Sequence, residues 1–245
     1  MKVAGILFDK DGTLMDFDSF WVSVSVVAVK EALKRLRQEE SLADEILEAF
    51  GVHNGVTDPD GVLCKGTYGE MAEIFCGILE EKGSYVSLVE AEENLTEAYR
   101  SSAACGRVEG SCEHLRELLM GFKRQKIRIA LVTTDRRSTT LFCLEKLGIE
   151  DLFDKIYTDD GAFPPKPSPD SALDFCRTFQ LEKDGVWMVG DTLTDVNFAR
   201  NAGIGMVGVA GKELSRRILQ KEIESVLPDV SFLPQWFEAL PNAEK

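Results

Sequence analysis

Three stretches of the chain share one pattern. A short apolar run, partly β-branched, stops abruptly at a polar cluster: Val3–Phe8 before Asp9, Ile127–Val132 before Thr133-Thr134-Asp135, and Val186–Val189 before Gly190-Asp191. Lys155–Tyr157 and Gly205–Val209 are fainter versions of it. Apolar runs without polar alternation indicate strands covered on both faces, as in a parallel sheet. Helical patterns lie between them. Ser111–Lys123 carries Leu115, Leu118, Leu119 and Phe122 at helical spacing. Ser138–Leu147 carries Leu141, Phe142, Leu144 and Leu147 and stops at Gly148, a C-terminal cap. Ser171–Phe179 and Asp195–Ala202 fit as well. Strand and helix in alternation predict a doubly wound α/β fold.

One interval breaks the alternation. More than a hundred residues separate the first strand from the second, far beyond what a crossover needs. Helices are expected at Phe20–Gln38, Leu42–Phe50, Tyr68–Lys82 and Leu88–Ser102, the last opened by a capping box of Ser87 and Glu90. The prediction is an all-helical domain at 16–105, inserted into a core of 1–15 and 106–245, and placed to act as a lid. Its turn-rich segments, residues 51–55 and 60–67, offer His53 and Lys65 as candidate substrate contacts.

Composition narrows the class. The 245 residues are 44% hydrophobic and 29% charged, enough for a sizeable core. A net charge of −14 argues against nucleic acid or an anionic membrane as partner, and requires any anion site to create its own positive field. The six cysteines form no C-x-x-C pair and the two histidines stand apart, so a zinc site is not expected. Reduced thiols, acids that interrupt the N-terminal apolar run, and no apolar segment long enough for a membrane span suggest a cytoplasmic protein.

The polar clusters are the candidate chemistry. Ligands of parallel α/β sheets bind beyond the carboxyl ends of the strands. There Asp9, Asp11, Thr133, Thr134, Asp191 and Asp195 would converge, joined by Lys166 from Pro165-Lys166-Pro167. Clustered carboxylates suit a hard cation such as Mg²⁺, which commonly shares its shell with phosphate. Two acids could then divide the work, one attacking phosphorus and one moving the leaving group's proton. Carboxylate and phosphate repel by about 4 kcal/mol per unit pair at 4 Å and an effective dielectric of 20. A divalent ion and a lysine can offset that.

These segments resemble the motifs of the haloacid dehalogenase superfamily. FDKDGT is similar to its D-x-D-G-T motif, VTTD to its second, PPKPSPD to its lysine motif and VGDTLTD to its acidic fourth motif, all in the family's order. The resemblance implies a Rossmann-like core with a helical C1-type cap, near the phosphoglycolate-phosphatase-like and β-phosphoglucomutase-like group. It implies Asp9 as nucleophile and Mg²⁺ ligand, and Asp11 as general acid and base and as a Mg²⁺ ligand through its carbonyl. It implies Asp191 as a further ligand and Asp195 as support for the metal site or for Lys166. Lys166, Thr133, Thr134 and the amides near Lys10 and Asp11 would hold phosphoryl oxygens, with Gly12 permitting the turn. Family members that cleave phosphonates carry alanine, and dehalogenases tyrosine, where this chain has Asp11. The implied activity is therefore hydrolysis of a small phosphorylated metabolite, phosphoglycolate first, through an aspartyl-phosphate. A phosphomutase, or a non-catalytic binding protein on the same fold, is the alternative. Two positions depart from the family pattern: Lys10 stands where an apolar residue is usual, and Thr134 where asparagine is commoner.

Overall fold

The computed structural model describes residues 3–240. Among the described residues there are eight strands: β1 (Gly5–Phe8), β2 (Val52–His53), β3 (Val56–Thr57), β4 (Arg128–Val132), β5 (Lys155–Tyr157), β6 (Val186–Gly190), β7 (Gly205–Val209) and β8 (Val226–Leu227). The chain divides into two compact units, Met1–Asp16 with Val108–Lys245, and Phe17–Arg107. The sequence-based core of 1–15 and 106–245 includes residues 1–2 and 241–245, which lie outside the described residues. No described helix is long and apolar enough to cross a membrane.

The larger unit holds a six-stranded sheet in the order β5-β4-β1-β6-β7-β8, and every pairing is parallel. Successive side chains of a strand face opposite ways, so the apolar runs feed two separate layers. Ile6, Phe8, Ile129, Leu131, Val189, Val207 and Val209 pack with Leu115, Leu119, Phe122, Leu144 and Leu233. Leu7, Ala130, Val132, Val186 and Met188 pack on the other face with Ala172, Phe175, Phe198, Ala199 and Ala202. Helices cover both faces, which is the Rossmann-like doubly wound architecture that the patterning predicts.

The helices of this unit are Leu115–Arg124, Arg137–Leu147, Asp170–Phe179, Leu193–Ala202, Glu213–Leu219 and Leu233–Glu238. Gly148 caps the second of them at φ 65°, as read from the sequence. The first begins four residues later than its apolar spacing suggests. Ser111 is tied to the loop after β1 instead: its N–H donates to the Leu14 carbonyl (3.0 Å) and its hydroxyl to the Thr13 carbonyl (2.6 Å). Strand β8 went unread because two residues carry no period.

The smaller unit is built from helices Phe17–Arg35, Ala43–Ala49, Val62–Lys65, Tyr68–Glu81 and Leu88–Ser102. Phe20, Val24, Ala28 and Ala32 recur every fourth residue on the first, and the first packs on the last, where the Tyr99 hydroxyl donates to Ser25 (2.9 Å). The unit is not purely helical, since β2 and β3 form an antiparallel ladder. Asn54 and Gly55 turn between them at φ 53° and 78°. Positive φ at both central residues is what a two-residue hairpin turn requires, and Asn-Gly supplies it. Ser87 provides only half of the expected capping box, accepting from the Glu90 N–H (3.3 Å). The complete box is Thr67 with Glu70.

Candidate active site

In the sheet order, chain connections leave β1 toward β4 and leave β6 toward β7, so the crevice opens between β1 and β6. Asp9 sits there, its N–H donating to the Val189 carbonyl of β6 (2.9 Å). Asp191 follows directly after β6. Lys166 arrives from the loop between β5 and helix Asp170–Phe179, buried at 4% side-chain exposure. Its ammonium donates to Asp9 Oδ1 and to Asp195 Oδ1 (2.6 Å).

Asp195 lies fully buried in the first turn of helix Leu193–Ala202. Its Oδ2 accepts from the Thr192 N–H (3.1 Å) and the Thr192 hydroxyl (2.8 Å), so both oxygens are engaged. A Cβ on Gly190 would meet Asp195 Cγ at 2.4 Å, so only glycine at the end of β6 lets this carboxylate fold back toward Lys166. Gly12 makes a similar allowance for Asp191. It holds φ +73°, and a Cβ there would lie 2.2 Å from Asp191 Oδ2. Gly12→Ala should therefore add about 1 kcal/mol of left-handed strain and displace Asp191. We expect its midpoint for divalent cation, read as thermal stabilisation, to rise about tenfold or more.

One carboxylate oxygen each from Asp9, Asp191 and Asp195 lies within 4.8 Å of the others. An all-oxygen donor set of this size fits a hard divalent cation. Both oxygens of Asp195 are already bonded, Oδ1 to Lys166 and Oδ2 to Thr192. Burial pushes the Asp9 carboxyl up to about 7, with Asp195 and Asp11 adding to the rise and Lys166 opposing it. Asp191 is raised well above the usual carboxylate range, first by burial and then by Asp9 and Asp195. Burial works against the Lys166 charge, but Asp195 and Asp9 together outweigh it and its pKa rises.

The second strand end completes the rim. Thr133 is buried after β4, and its hydroxyl accepts from the Asp135 N–H (3.2 Å). Thr134 is exposed beside it. The resemblance implies a phosphoryl contact only for the amides near Lys10, and the Lys10 side chain turns elsewhere. It is fully buried, and its ammonium pairs with Asp11 (2.8 Å) and Asp135 Oδ2 (2.9 Å). Sequence reasoning missed Asp135, although a lysine in an otherwise apolar alternation signals a buried carboxylate partner. Thr13, also missed, places its hydroxyl 3.5 Å from Asp191 Oδ1. In the smaller unit His53 Nδ1 pairs with Glu48 (2.7 Å) and Lys65 with Asp60.

A family model of haloacid dehalogenase-like hydrolases matches residues 3–203. Pyrophosphatase PpaX of Halalkalibacterium halodurans is 24% identical over 94% of this chain and 96% of its own length. N-acetylmuramic acid 6-phosphate phosphatase of Pseudomonas putida is 24% identical over 83% of this chain and 81% of its own. A phosphoglycolate phosphatase of Nitrosospira multiformis is 28% identical over 47% of this chain and 52% of its own. Among solved structures, a protein from Haemophilus somnus described as a predicted phosphoglycolate phosphatase superposes with a TM-score of 0.68 at 18% identity, covering 96% of this chain and 98% of its own. A Thermotoga maritima protein described as a candidate β-phosphoglucomutase gives 0.65 at 21%, covering 97% and 100%. The likeness to these structures extends over the whole sheet and its insert, and the matched family model runs through all four strand-end motifs: the chain belongs to the haloacid dehalogenase-like hydrolases.

Proposed function

We propose that this protein is a Mg²⁺-dependent phosphatase that hydrolyses a small phosphate monoester through an aspartyl-phosphate on Asp9. The observation that carries the reading is Lys166, buried between Asp9 and Asp195 at the β1–β6 crevice with Asp191 alongside. A carboxylate placed there has a fixed cation to offset its repulsion from phosphate, and a donor set for a divalent ion beside it.

Asp9 attacks phosphorus, forming the Asp9–phosphorus bond as the ester oxygen leaves. Asp11 gives that oxygen its proton, then takes one from the water that hydrolyses the aspartyl-phosphate, and Asp9 is regenerated. Lys166 stays on the Asp9 side of the phosphoryl group and balances its charge. The Thr133 hydroxyl, which accepts from the Asp135 amide, orients its own O–H toward a phosphoryl oxygen. Mg²⁺, held by Asp9, Asp191 and the Asp11 carbonyl, would supply the remaining positive charge at the phosphoryl oxygens.

Phosphate release from a panel of phosphoglycolate, sugar phosphates and pyrophosphate, with Mg²⁺ and with chelator, tests the reading. Metal-dependent turnover of one small ester supports it. Turnover only with a sugar bisphosphate activator would make the protein a phosphomutase, and metal binding without turnover would make it a binding protein.

The buried acids give a pH signature. Asp9 holds its proton to about pH 7 in the folded protein against an ordinary 3.8, and Asp135, raised by burial and then by Asp11, to about 6. Over that window the folded state binds more protons than the unfolded state, so stability falls as pH rises. In chelator, the thermal midpoint should decline from about pH 5 to pH 8. Saturating Mg²⁺ should remove most of the decline, because the ion replaces the protons. A midpoint that rises over this range without metal would contradict the buried placement of these acids.

A further inference from the structure

Lys10 is the buried charge that the mechanism does not use. Two residues beyond Phe8, it continues the alternation of Ile6 and Phe8, which supply the apolar layer on that side of β1. An ammonium there gives up its hydration, and an apolar side chain would pack the same space without that cost. The compensation is local. Both oxygens of Asp11 lie 2.8 Å from the Lys10 Nζ, Asp135 Oδ2 lies 2.9 Å away, and Met15 Sδ closes the remaining side at 3.6 Å. Asp135 follows β4, whereas Asp11 follows β1. The lysine therefore joins the two loops that end adjacent strands. Through the Asp135 amide the connection reaches the Thr133 hydroxyl (3.2 Å). One run of contacts, Asp11 to Lys10 to Asp135 to Thr133, thus links the carboxylate at the first strand end to the hydroxyl at the second.

We propose that Lys10 and Asp135 are positioning residues that hold the Asp11 carboxylate at a fixed place relative to the phosphoryl-binding rim. The proposal rests on the phosphatase reading, in which Asp11 moves the proton. Lys10 touches neither substrate nor reacting atoms; it acts through Asp11. A small misplacement of a proton-transferring group costs about a hundredfold in rate. The cost falls on steps that need the proton. Expulsion of an alkoxide needs it. Expulsion of p-nitrophenolate, a weak base, does not. Hydrolysis of the aspartyl-phosphate needs a base, whatever the first leaving group was.

Rapid-mixing kinetics of Lys10→Met and Asp135→Asn, with p-nitrophenyl phosphate and with the best alkyl phosphate of the panel, tests it. Methionine keeps the length and apolarity of the lysine stem. For Lys10→Met we expect a p-nitrophenolate burst of one equivalent at close to the native rate, followed by steady-state release slowed about a hundredfold. Alkyl phosphate should show no burst and the same slow release, with KM within twofold of native. Asp135→Asn leaves the Lys10–Asp11 pair in place and should show the same pattern at a smaller amplitude. It decides the matter if Lys10→Met does not fold. The double variant should be no slower than Lys10→Met alone, because both act through one carboxylate. Burst and steady state falling together with both esters, or native rates in a folded variant, would overturn the proposal. Native protein that turns over neither ester would instead sink the phosphatase reading, so the two failures are distinguishable.

Discussion

Asp9→Asn is expected to abolish phosphate release, by about 10³-fold or more, equivalent to at least about 4 kcal/mol of barrier. Asparagine has nearly the shape of aspartate but cannot form the aspartyl-phosphate. The same substitution is expected to raise the thermal midpoint at pH 8 in chelator. Burial and the neighbouring Asp195 and Asp11 hold the Asp9 carboxyl up at about 7 even with Lys166 beside it. Ionising it therefore costs the folded protein more than the unfolded chain, and an amide mimics the protonated form. Loss of activity with gain of stability separates a nucleophile held under electrostatic strain from an acid that merely supports the fold. Residual turnover within tenfold of native would assign the attack to another group. A lowered midpoint would mean that Asp9 is held chiefly by its lysine.

The second large effect belongs to Lys166→Met. The ammonium is the buried cation that pairs with Asp9 and Asp195, so removing it leaves two carboxylates without their shared partner. Breaking a buried pair from one side costs about 3–5 kcal/mol, chiefly the cost of the charge left behind. That loss should appear in denaturant unfolding at pH 8 in chelator. It should shrink toward pH 6, where Asp9 takes up a proton instead. Phosphate release should fall by roughly a hundredfold or more, because the attacking oxygen and the phosphoryl group then repel without the fixed charge. A variant as stable as native at pH 8 would show that Lys166 is not held between the two acids.

Much of this was legible in the sequence, and for identifiable reasons. Val3–Phe8, Ile127–Val132 and Val186–Val189 stand out because a strand covered on both faces has no polar positions to dilute its pattern. Asp9 and Asp191 were readable because a polar cluster at the end of such a strand has few structural uses, and Lys166 because PPKPSPD resembles a family motif. Pairing is another matter. Nothing in the spacing says that Lys166 lies between Asp9 and Asp195, since that depends on how the loop after β5 crosses the sheet edge. Lys10 was legible only as a lysine where the family usually has an apolar residue. Its burial becomes evident only when the alternation is carried past Phe8 and Asp135 is seen to meet it from β4. The hairpin at Val52–Thr57 was signalled by Asn54-Gly55, but strands of two residues give no alternation to read.

The insertion begins and ends at one place. Met15 bridges Gly110 in an antiparallel sense, and the Asp16 N–H donates to the Glu109 carbonyl (2.9 Å). The chain thus leaves the larger unit and returns beside itself, with about ninety residues in between. Closing a loop of that length instead of a four-residue turn costs the larger unit only about 3 kcal/mol in chain entropy, since the cost grows with the logarithm of length. The sheet is accordingly indifferent to what the loop contains. A lineage could lengthen, shorten or exchange the insert while β1 and β4 remain paired and the acids at the strand ends stay in place.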